Sequence, residues 1–299
     1  MRSRVVSLLV LALFSWSLAS AQSTQIRIVA ANLTSGNDQS YDPGHGIRIL
    51  KALKPDVVMI QEFRYTRGPV AQMVKEIVGP SSYFYREDGY ELPNGVLSRW
   101  PIKEAGSWKD PHIGNRGLTW ARIDIPGDRD LWAVSLHLKA GGDSKQVRMQ
   151  EAEVLVGLVK KKVPQGDYMT VGGDFNTSDR TEPCLRELSE VVETAAPYPV
   201  DQSGKSGTSA NRGKPYDWVL ANGDLDAKAV VTKVGAKSFP DGLVFDSRVS
   251  PSLFSAGEVQ ADDSASANMQ HMAVVRDFAV PAAGQARQSQ QRAKARAKR

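Results

Sequence analysis

The protein has 299 residues, of which 41% are hydrophobic and 24% are charged, and its formal net charge is +5. This composition predicts one large globular domain or two small ones, and it excludes a disordered chain and a membrane-spanning protein. Cys184 is the only cysteine, which excludes an intrachain disulfide and a zinc cluster built on thiolates.

The first residues form a pattern typical of an export signal. Arg2 and Arg4 precede an apolar run over residues 5–14, and the small residues 19–21 suit a cleavage site. The run is shorter than the ~20 apolar residues of a spanning helix, so an uncleaved anchor is the weaker alternative. We expect residues 1–21 to be a signal peptide, which predicts an exported protein, periplasmic or extracellular, without stable membrane insertion after cleavage.

The next segments predict two strands with a helix between them. An apolar, β-like run over residues 25–31 ends at Asn32. Apolar residues at near-helical spacing over residues 47–53 predict a helix. The run over residues 57–60 then predicts a buried strand that leads to Glu62. Both strands therefore end at polar side chains.

The middle of the chain repeats this arrangement. The apolar run over residues 131–136 finishes at His137, and a helix is predicted from about residue 144 to 161. The next strand, over residues 168–171, leads into the Gly-Gly-Asp-Phe-Asn segment at 172–176. We expect the two glycines to let the backbone bend where the carboxylate and the amide emerge.

Two later strands begin, rather than end, with polar residues. Asp217 opens the apolar run 218–220, and Gln270 with His271 opens the run that continues to about Val280. Six predicted strands therefore carry polar side chains with catalytic capability at one end. Strands separated by helices and long loops predict a layered α/β domain over residues 22–280, with these side chains on one rim of the sheets.

The C-terminal segment, residues 281–299, has the Ala, Gln, Arg and Lys composition of a disordered tail. It holds six positive charges, and two more lie in the predicted signal, so the domain itself is mildly acidic, with a net charge of −3. The basic tail predicts contact with nucleic acid or another polyanion, with a solvated terminus as the equal alternative.

Seven short motifs carry a resemblance to a known family. They are Ala31-Asn32-Leu33, Pro55-Asp56-Val57-Val58 leading to Gln61-Glu62, Gly95-Val96-Leu97-Ser98-Arg99-Trp100-Pro101-Ile102, Ser135-Leu136-His137-Leu138, Gly173-Asp174-Phe175-Asn176, Tyr216-Asp217-Trp218-Val219-Leu220 and His271-Met272-Ala273-Val274. In order and spacing they resemble the endonuclease/exonuclease/phosphatase superfamily, which includes pancreatic-type deoxyribonucleases and bacterial sphingomyelinases. The resemblance implies a deoxyribonuclease I-like, four-layered α/β sandwich, in which two packed β-sheets are flanked by helices.

The resemblance also implies a divalent ion, Mg²⁺ or Mn²⁺, and ligands for it. Glu62 matches the principal metal ligand of the family, and Asn32 offers a second oxygen of the kind that Mg²⁺ prefers. Gln270 stands where most members have an aspartate. An amide oxygen can coordinate but brings no charge, so we expect weaker metal binding or a shifted ion, for which Asp262 or Asp263 could compensate.

Five residues match catalytic positions of the family. His271 matches the histidine that handles the water proton or stabilises the attacked phosphate, and Asp217 matches the aspartate that orients it. Asp174 matches the carboxylate that positions the attacking water, and Asn176 the amide that binds a phosphate oxygen. His137 matches the histidine that acts on the phosphate or the leaving group.

These features predict a metal-dependent phosphodiester hydrolase, a monomer with endonuclease-like activity on a phosphate ester such as nucleic acid. A sphingomyelinase or phospholipase C-like enzyme and a phosphatase of organic phosphates are alternatives. The segment 239–254 is a candidate interfacial loop for the lipid alternative, whereas Trp100, Trp108 and Trp120 are explained equally well by strand and core packing. A binding protein that has lost the chemistry is a third alternative, which Gln270 alone supports. Asn94 either lines the pocket or is an ordinary turn residue.

Overall fold

The computed structural model describes residues 23–32, 44–249, 253–254, 257–265 and 270–282. The predicted signal peptide and almost all of the predicted tail lie outside the described residues. The strands are β1 Ser23–Ala31, β2 Val57–Ile60, β3 Tyr83–Arg86, β4 Gly95–Ser98, β5 Ile102–Trp108, β6 Leu118–Ile123, β7 Leu131–His137, β8 Tyr168–Asp174, β9 Asp217–Ala221, β10 Ala229–Val230, β11 Thr232–Val234, β12 Lys237–Phe239, β13 Leu243–Phe245 and β14 Ala273–Pro281. The helices are α1 His45–Leu53, α2 Val70–Val78, α3 Lys145–Lys162, α4 Pro183–Leu188 and α5 Gly223–Asp226, with 3₁₀ turns at Gly142–Ser144 and Asp263–Ala265.

The strands form two large sheets and a small hairpin. The seven-stranded sheet has the order β10-β14-β1-β2-β4-β3, with β13 also paired to β14. The five-stranded sheet has the sequential order β5-β6-β7-β8-β9, and β11 pairs with β12 alone. None of the described helices is both long and apolar enough to cross a membrane.

Three hydrophobic clusters hold these elements together as four layers. The first packs α1 and α2 on the outer face of the seven-stranded sheet, and the second packs α3 and α4 on the outer face of the five-stranded sheet. The third lies between the sheets and includes Ile28, Met59 and Ala133, which are fully buried. Apolar side chains on both faces of the central strands leave only strand ends for polar groups. The predicted four-layered sandwich is confirmed.

The pairing of the strands brings the polar ends together at one edge. β1 and β2 run parallel with Ala31 opposite Ile60, so the residues that follow both strands meet. β7 and β8 also run parallel, with His137 opposite Asp174. β9 and β14 run antiparallel to their neighbours, so the polar residues at their beginnings reach the same edge.

The two glycines before Asp174 meet a backbone requirement and a packing requirement, since Gly173 has a positive φ of 129°, which favours glycine. Strand β8 does not bend away there but continues to Asp174. A Cβ atom on Gly172 would lie 2.4 Å from Cε of Met59, and one on Gly173 would lie 2.2 Å from the carbonyl oxygen of Leu136. The glycines are required because the neighbouring chain and the facing sheet approach too closely for any side chain.

Candidate active site

Six polar side chains that the sequence analysis singled out lie together at this edge of the two sheets. All six are at least nine-tenths buried, which is unusual for ionisable groups unless they bind one another or a ligand. The seven-stranded sheet supplies Asn32, Glu62 and His271, and the five-stranded sheet supplies His137, Asp174 and Asp217.

Asn32 lies at the centre of the cluster. Its Nδ2 donates to Oε1 of Glu62 at 3.2 Å and to Oδ2 of Asp174 at 3.0 Å, and it lies 3.5 Å from Nε2 of His271. Its Oδ1 is buried and has no hydrogen-bond partner within the described part of the chain. A buried acceptor without a partner is costly, so this oxygen is available to a ligand.

His271 and Asp217 form a hydrogen-bonded pair. Nδ1 of His271 lies 3.0 Å from Oδ2 of Asp217, and Nε2 faces Oδ2 of Asp174 at 3.5 Å. Burial alone would lower the pKa of His271, but the carboxylates of Asp217 and Asp174 outweigh it and raise that pKa to about 10. The imidazole is therefore fixed in direction and holds a proton on Nε2 at neutral pH.

His137 faces the same centre from the other sheet. Its Nε2 lies 3.3 Å from Oδ2 of Asp174 and 3.9 Å from Oε1 of Glu62, while its buried Nδ1 has no partner among the described residues. Burial, with the nearby charges of Arg116 and His271, holds its pKa well below the usual value. His137 is therefore neutral, in contrast to His271.

Burial shifts the pKa of two carboxyl groups in the cluster, those of Glu62 and Asp174. Burial raises the pKa of Glu62, against the hydrogen bond from Asn32, and raises that of Asp174 to about 6. Glu62 and Asn176 also have positive φ angles, 51° and 52°, which residues other than glycine rarely adopt. Such backbone strain is concentrated at functional sites.

Two predicted residues lie at the margin of the cluster. Asn176 is half-buried, and its Nδ2 donates to the carbonyl oxygen of Leu138 at 3.1 Å, which leaves a second N–H for a ligand. Gln270 is exposed and makes no hydrogen bond with any residue that the structure describes. Asp263 does not compensate for Gln270, because Arg48, His45 and the backbone of Gln260 occupy its carboxylate.

Asn94 and Arg116 hold the backbone around the site. Asn94 is fully buried and donates to the carbonyl oxygen of Gly117 at 2.9 Å, so it is a loop-bridging residue. Arg116 is 5% exposed and donates to the carbonyl oxygens of His137 and Leu138. Arg116 was not predictable from the sequence, because an arginine before an apolar strand does not differ locally from a surface arginine.

The donor set suits a hard divalent cation. The carboxylates of Glu62, Asp174 and Asp217 are buried together, and Oδ1 of Asn32 points to no protein donor among the described residues. Ligand atoms of Asp174, Asp217 and His271 lie within 4.8 Å of one another. A divalent ion would neutralise charges that are costly to bury, and oxygen-rich sites of this kind favour hard ions.

Comparison with known proteins gives one family and several structural relatives. A model of the endonuclease/exonuclease/phosphatase family matches residues 47–238. Truncated TDP2 from Caenorhabditis elegans is 15% identical, with a TM-score of 0.52 over 85% of this chain and 97% of that chain. An endonuclease/exonuclease/phosphatase protein from Beutenbergia cavernae is 18% identical, with a TM-score of 0.56 over 86% and 72%.

The beta toxin of Staphylococcus aureus is 14% identical, with a TM-score of 0.51 over 84% of this chain and 99% of the toxin. At these identities the likeness extends to the fold alone. Among curated proteins the sequence has no match.

Proposed function

Because the chain belongs to the endonuclease/exonuclease/phosphatase family, whose members are metal-dependent phosphoester hydrolases, we propose that it is an exported phosphodiesterase with endonuclease-like activity. The observation that carries the proposal is the convergence of Asn32, Glu62, His137, Asp174 and His271 within hydrogen-bond or ion-pair distance at one edge of the sheets. All of these groups come from one chain, so the proposed site needs no second subunit.

Asn32 and Glu62 are the residues proposed to hold Mg²⁺ or Mn²⁺. The amide of Asn32 contacts Oε1 of Glu62 through Nδ2 at 3.2 Å, and its buried, unpartnered Oδ1 offers a neutral oxygen ligand. A bound ion of this kind neutralises the phosphate oxygens and supports the charge that develops on them. Gln270 is exposed beside the site, where its amide oxygen can serve as a further ligand or bind a coordinated water.

The groups of the five-stranded sheet act on the proton and the phosphate. Oδ2 of Asp174 lies 3.5 Å from Nε2 of His271. A water molecule bound next to both atoms would have Asp174 as a hydrogen-bond acceptor, while the N–H of His271 would be a donor to the water or to the phosphate. Asp217 holds Nδ1 of His271, which keeps Nε2 aimed at the phosphate as a donor. The second N–H of Asn176 completes the set of donors for the charged transition state.

His137 is proposed to assist the leaving group. It is neutral and buried, and its Nε2 lies 3.3 Å from Oδ2 of Asp174. A neutral imidazole can hydrogen-bond the departing oxygen without adding charge to the metal side of the site. Arg116 beneath it holds the carbonyl oxygen of the same residue and so keeps the ring in place.

The surface around the site favours a polyanionic substrate over a lipid. Arg64 and Lys139 are exposed and follow Glu62 and His137 closely in the chain. The described residues of the candidate interfacial segment offer no exposed aromatic hairpin, since Phe239 and the strand Leu243–Phe245 are buried in the core. Trp108 and Trp120 stack on each other at 5.5 Å, as core packing predicts.

Export is part of the proposal and rests on the leader pattern of residues 1–21 alone. Its test is expression of the full chain in a bacterium, followed by fractionation and N-terminal sequencing. A processed chain that begins near Gln22 outside the cytoplasm is the expected result. An unprocessed chain in the cytoplasm would contradict export without affecting the proposed chemistry.

The activity is tested on duplex DNA, RNA, sphingomyelin, bis(p-nitrophenyl) phosphate and p-nitrophenyl phosphate, with Mg²⁺ or EDTA. We expect metal-dependent cleavage of nucleic acid and of the small diester, lost in Glu62→Gln. Glu153→Gln is the matched control, because Glu153 is exposed on α3 away from the cluster. Cleavage of sphingomyelin or of the monoester alone would favour an alternative substrate class, and no cleavage by a folded protein would favour the binding-protein alternative.

A further inference from the structure

An open pocket of about 440 Å³ lies beside the candidate active site. Its wall includes Ser178, two residues after Asn176, and Pro215, two residues before Asp217. Two residues of extended chain span at most about 7 Å, so the pocket adjoins the groups placed on the phosphate. None of the predicted site residues lines it, and the chemistry described above makes no use of it.

Two positive charges in this pocket lack a counterion among the described residues. Its wall carries Arg180, Lys205, Arg212 and one carboxylate, that of Asp179. Arg212 is neutralised by two buried aspartates, and Asp179 pairs with Lys145 at 2.9 Å. Arg180 and Lys205 form no salt bridge with a described residue. The pocket therefore presents a net positive charge within a domain that is acidic overall.

Arg180 is held in place by contacts that leave most of its donors unused. Its guanidinium lies 4.0 Å from the ring centre of Tyr198 and 4.8 Å from that of Trp218. It donates one hydrogen bond, to the carbonyl oxygen of Ser206 at 2.8 Å, out of five N–H groups. A half-buried guanidinium without a carboxylate is costly, and an anion that accepts its remaining N–H groups would remove that cost.

The loop that presents Lys205 is fixed from inside. The backbone N–H of Lys205 donates to Oδ1 of Asp201 at 3.0 Å, and its carbonyl oxygen accepts from Arg212 at 3.1 Å. A Cβ atom on Gly207 would lie 2.2 Å from the carbonyl oxygen of Arg212, so this loop closes tightly on itself. Lys205 is exposed and lines the same pocket as Arg180 from this fixed backbone.

We propose that this pocket binds a second phosphate group of the substrate, a neighbouring phosphate of the nucleic-acid strand whose scissile phosphate lies in the candidate active site. The proposal rests on the proposed function. A planar guanidinium fork matches phosphate oxygens, and an ammonium adds a point charge, so Arg180 and Lys205 together suit a phosphate. A strand carries a phosphate at every nucleotide, whereas a small diester has none beyond the one that is cleaved.

The test compares substrates with one phosphate and with many. Arg180→Gln and Lys205→Gln are assayed with Mg²⁺ on bis(p-nitrophenyl) phosphate and on a single-stranded oligonucleotide of about 12 nucleotides, a length typical of strand-binding sites. The matched controls are Arg186→Gln, exposed on α4, and Lys161→Gln, at the far end of α3 and about 24 Å along that helix from its start. Thermal melting verifies that each variant is folded.

We expect each pocket variant to raise KM for the oligonucleotide roughly five-fold and to reduce the salt dependence of binding by about one phosphate contact. The pocket variants should leave KM for the small diester unchanged. The two control variants should leave KM unchanged for both substrates. An equal effect on both substrates, or no effect on the oligonucleotide, would overturn the proposal. Because Lys205 is exposed, its variant decides the matter if Arg180→Gln does not fold.

A binding measurement separates this proposal from the proposed function. Fluorescence anisotropy of the labelled oligonucleotide is recorded in EDTA, where no cleavage is expected. If the wild type binds and the two pocket variants bind roughly five-fold more weakly, the pocket stands even when no substrate is cleaved. Unchanged binding in the variants refutes the pocket, even when the wild type cleaves nucleic acid.

Discussion

Two buried acid clusters lie near the charge of Arg116, and they differ in how their carboxyl groups are accommodated. In the candidate active site, the front cluster, carboxylates face side-chain donors, as Asp217 faces His271 and Glu62 faces Asn32. In the other cluster, the rear pair, the carboxyls of Asp110 and Glu151 lie side by side, and each accepts a hydrogen bond from a backbone N–H, that of His112 and that of Lys139 respectively.

The difference shows two ways to bury an acid. Glu151 accommodates burial by retaining its proton, since burial, aided by Asp110, raises its pKa to about 8. The carboxylates of the front cluster instead lie beside the imidazole of His271 and the amide of Asn32. This second arrangement supplies the acceptors and donors that the proposed phosphate chemistry needs.

The largest effect is expected from Asp217→Asn in the front cluster. The change removes the carboxylate that orients and charges His271, so we expect kcat/KM to fall by roughly 10²–10⁴-fold on the cleaved phosphodiester. The control is Asp226→Asn. Asp226 lies on the short helix α5 and pairs with Arg276, so this variant should retain activity. Equal activities of the two variants would contradict the assigned pair.

Arg116→Met removes the charge near both clusters while it keeps a long side chain. The carbonyl oxygens of His137 and Leu138 lose their charged donor, so the free energy of unfolding should fall by about 2–4 kcal/mol and kcat/KM by roughly 10²-fold. Urea denaturation and initial rates measure the two effects. Arg186→Met, on an exposed side chain, should change neither.

Stabilisation of the protein by a metal ion should depend on the front cluster and not on the rear pair. At a concentration 100 times its dissociation constant, Mg²⁺ should raise the free energy of unfolding by about 2.7 kcal/mol, and EDTA should reverse the effect. Glu62→Gln should reduce this gain strongly, whereas Glu151→Gln, in the rear pair, should leave it intact. Thermal melting with and without the ion distinguishes the two, and an equal loss in both variants would show that the clusters are not independent.

The smallest effect concerns the pH dependence of the rear pair. The folded protein holds a proton on Glu151 up to about pH 8, whereas the unfolded chain releases it near the usual value of 4.5. The folded state therefore binds more protons in this window, and stability decreases as pH rises through it. Glu151→Gln should be roughly 1–3 kcal/mol more stable than wild type at pH 9 and equal to it at pH 4, by urea denaturation. A flat difference between the two pH values would contradict the retained proton.

The strand ends were predictable because local pattern decides them. An apolar run that stops at a polar residue marks the point where a strand leaves the core, and this holds for Asn32, Glu62 and His137. Asp217 and His271 were found in the same way, at strand beginnings. The structure brings these side chains together, and their catalytic and metal-binding roles stay predictions.

Long-range contacts were not predictable from the same patterns. The sequence around Asp263 does not indicate which groups its carboxylate contacts. Packing against α1 pairs it with Arg48 and His45 rather than with a metal ion. The burial of Arg116 depends on carbonyl oxygens 21 and 22 residues further along the chain. Neither contact leaves a signal at the residue itself.

The layered α/β class and the polar residues at the ends of six strands follow from the sequence, because burial acts on each strand through its own pattern of apolar side chains. Three further properties depend on tertiary contacts: the close approach of neighbouring chain and facing sheet to the glycines before Asp174, the exposure of Gln270, and the position of Arg180 in a pocket where no described residue is its counterion. These properties depend on how closely two sheets and distant loops approach, which no residue encodes alone.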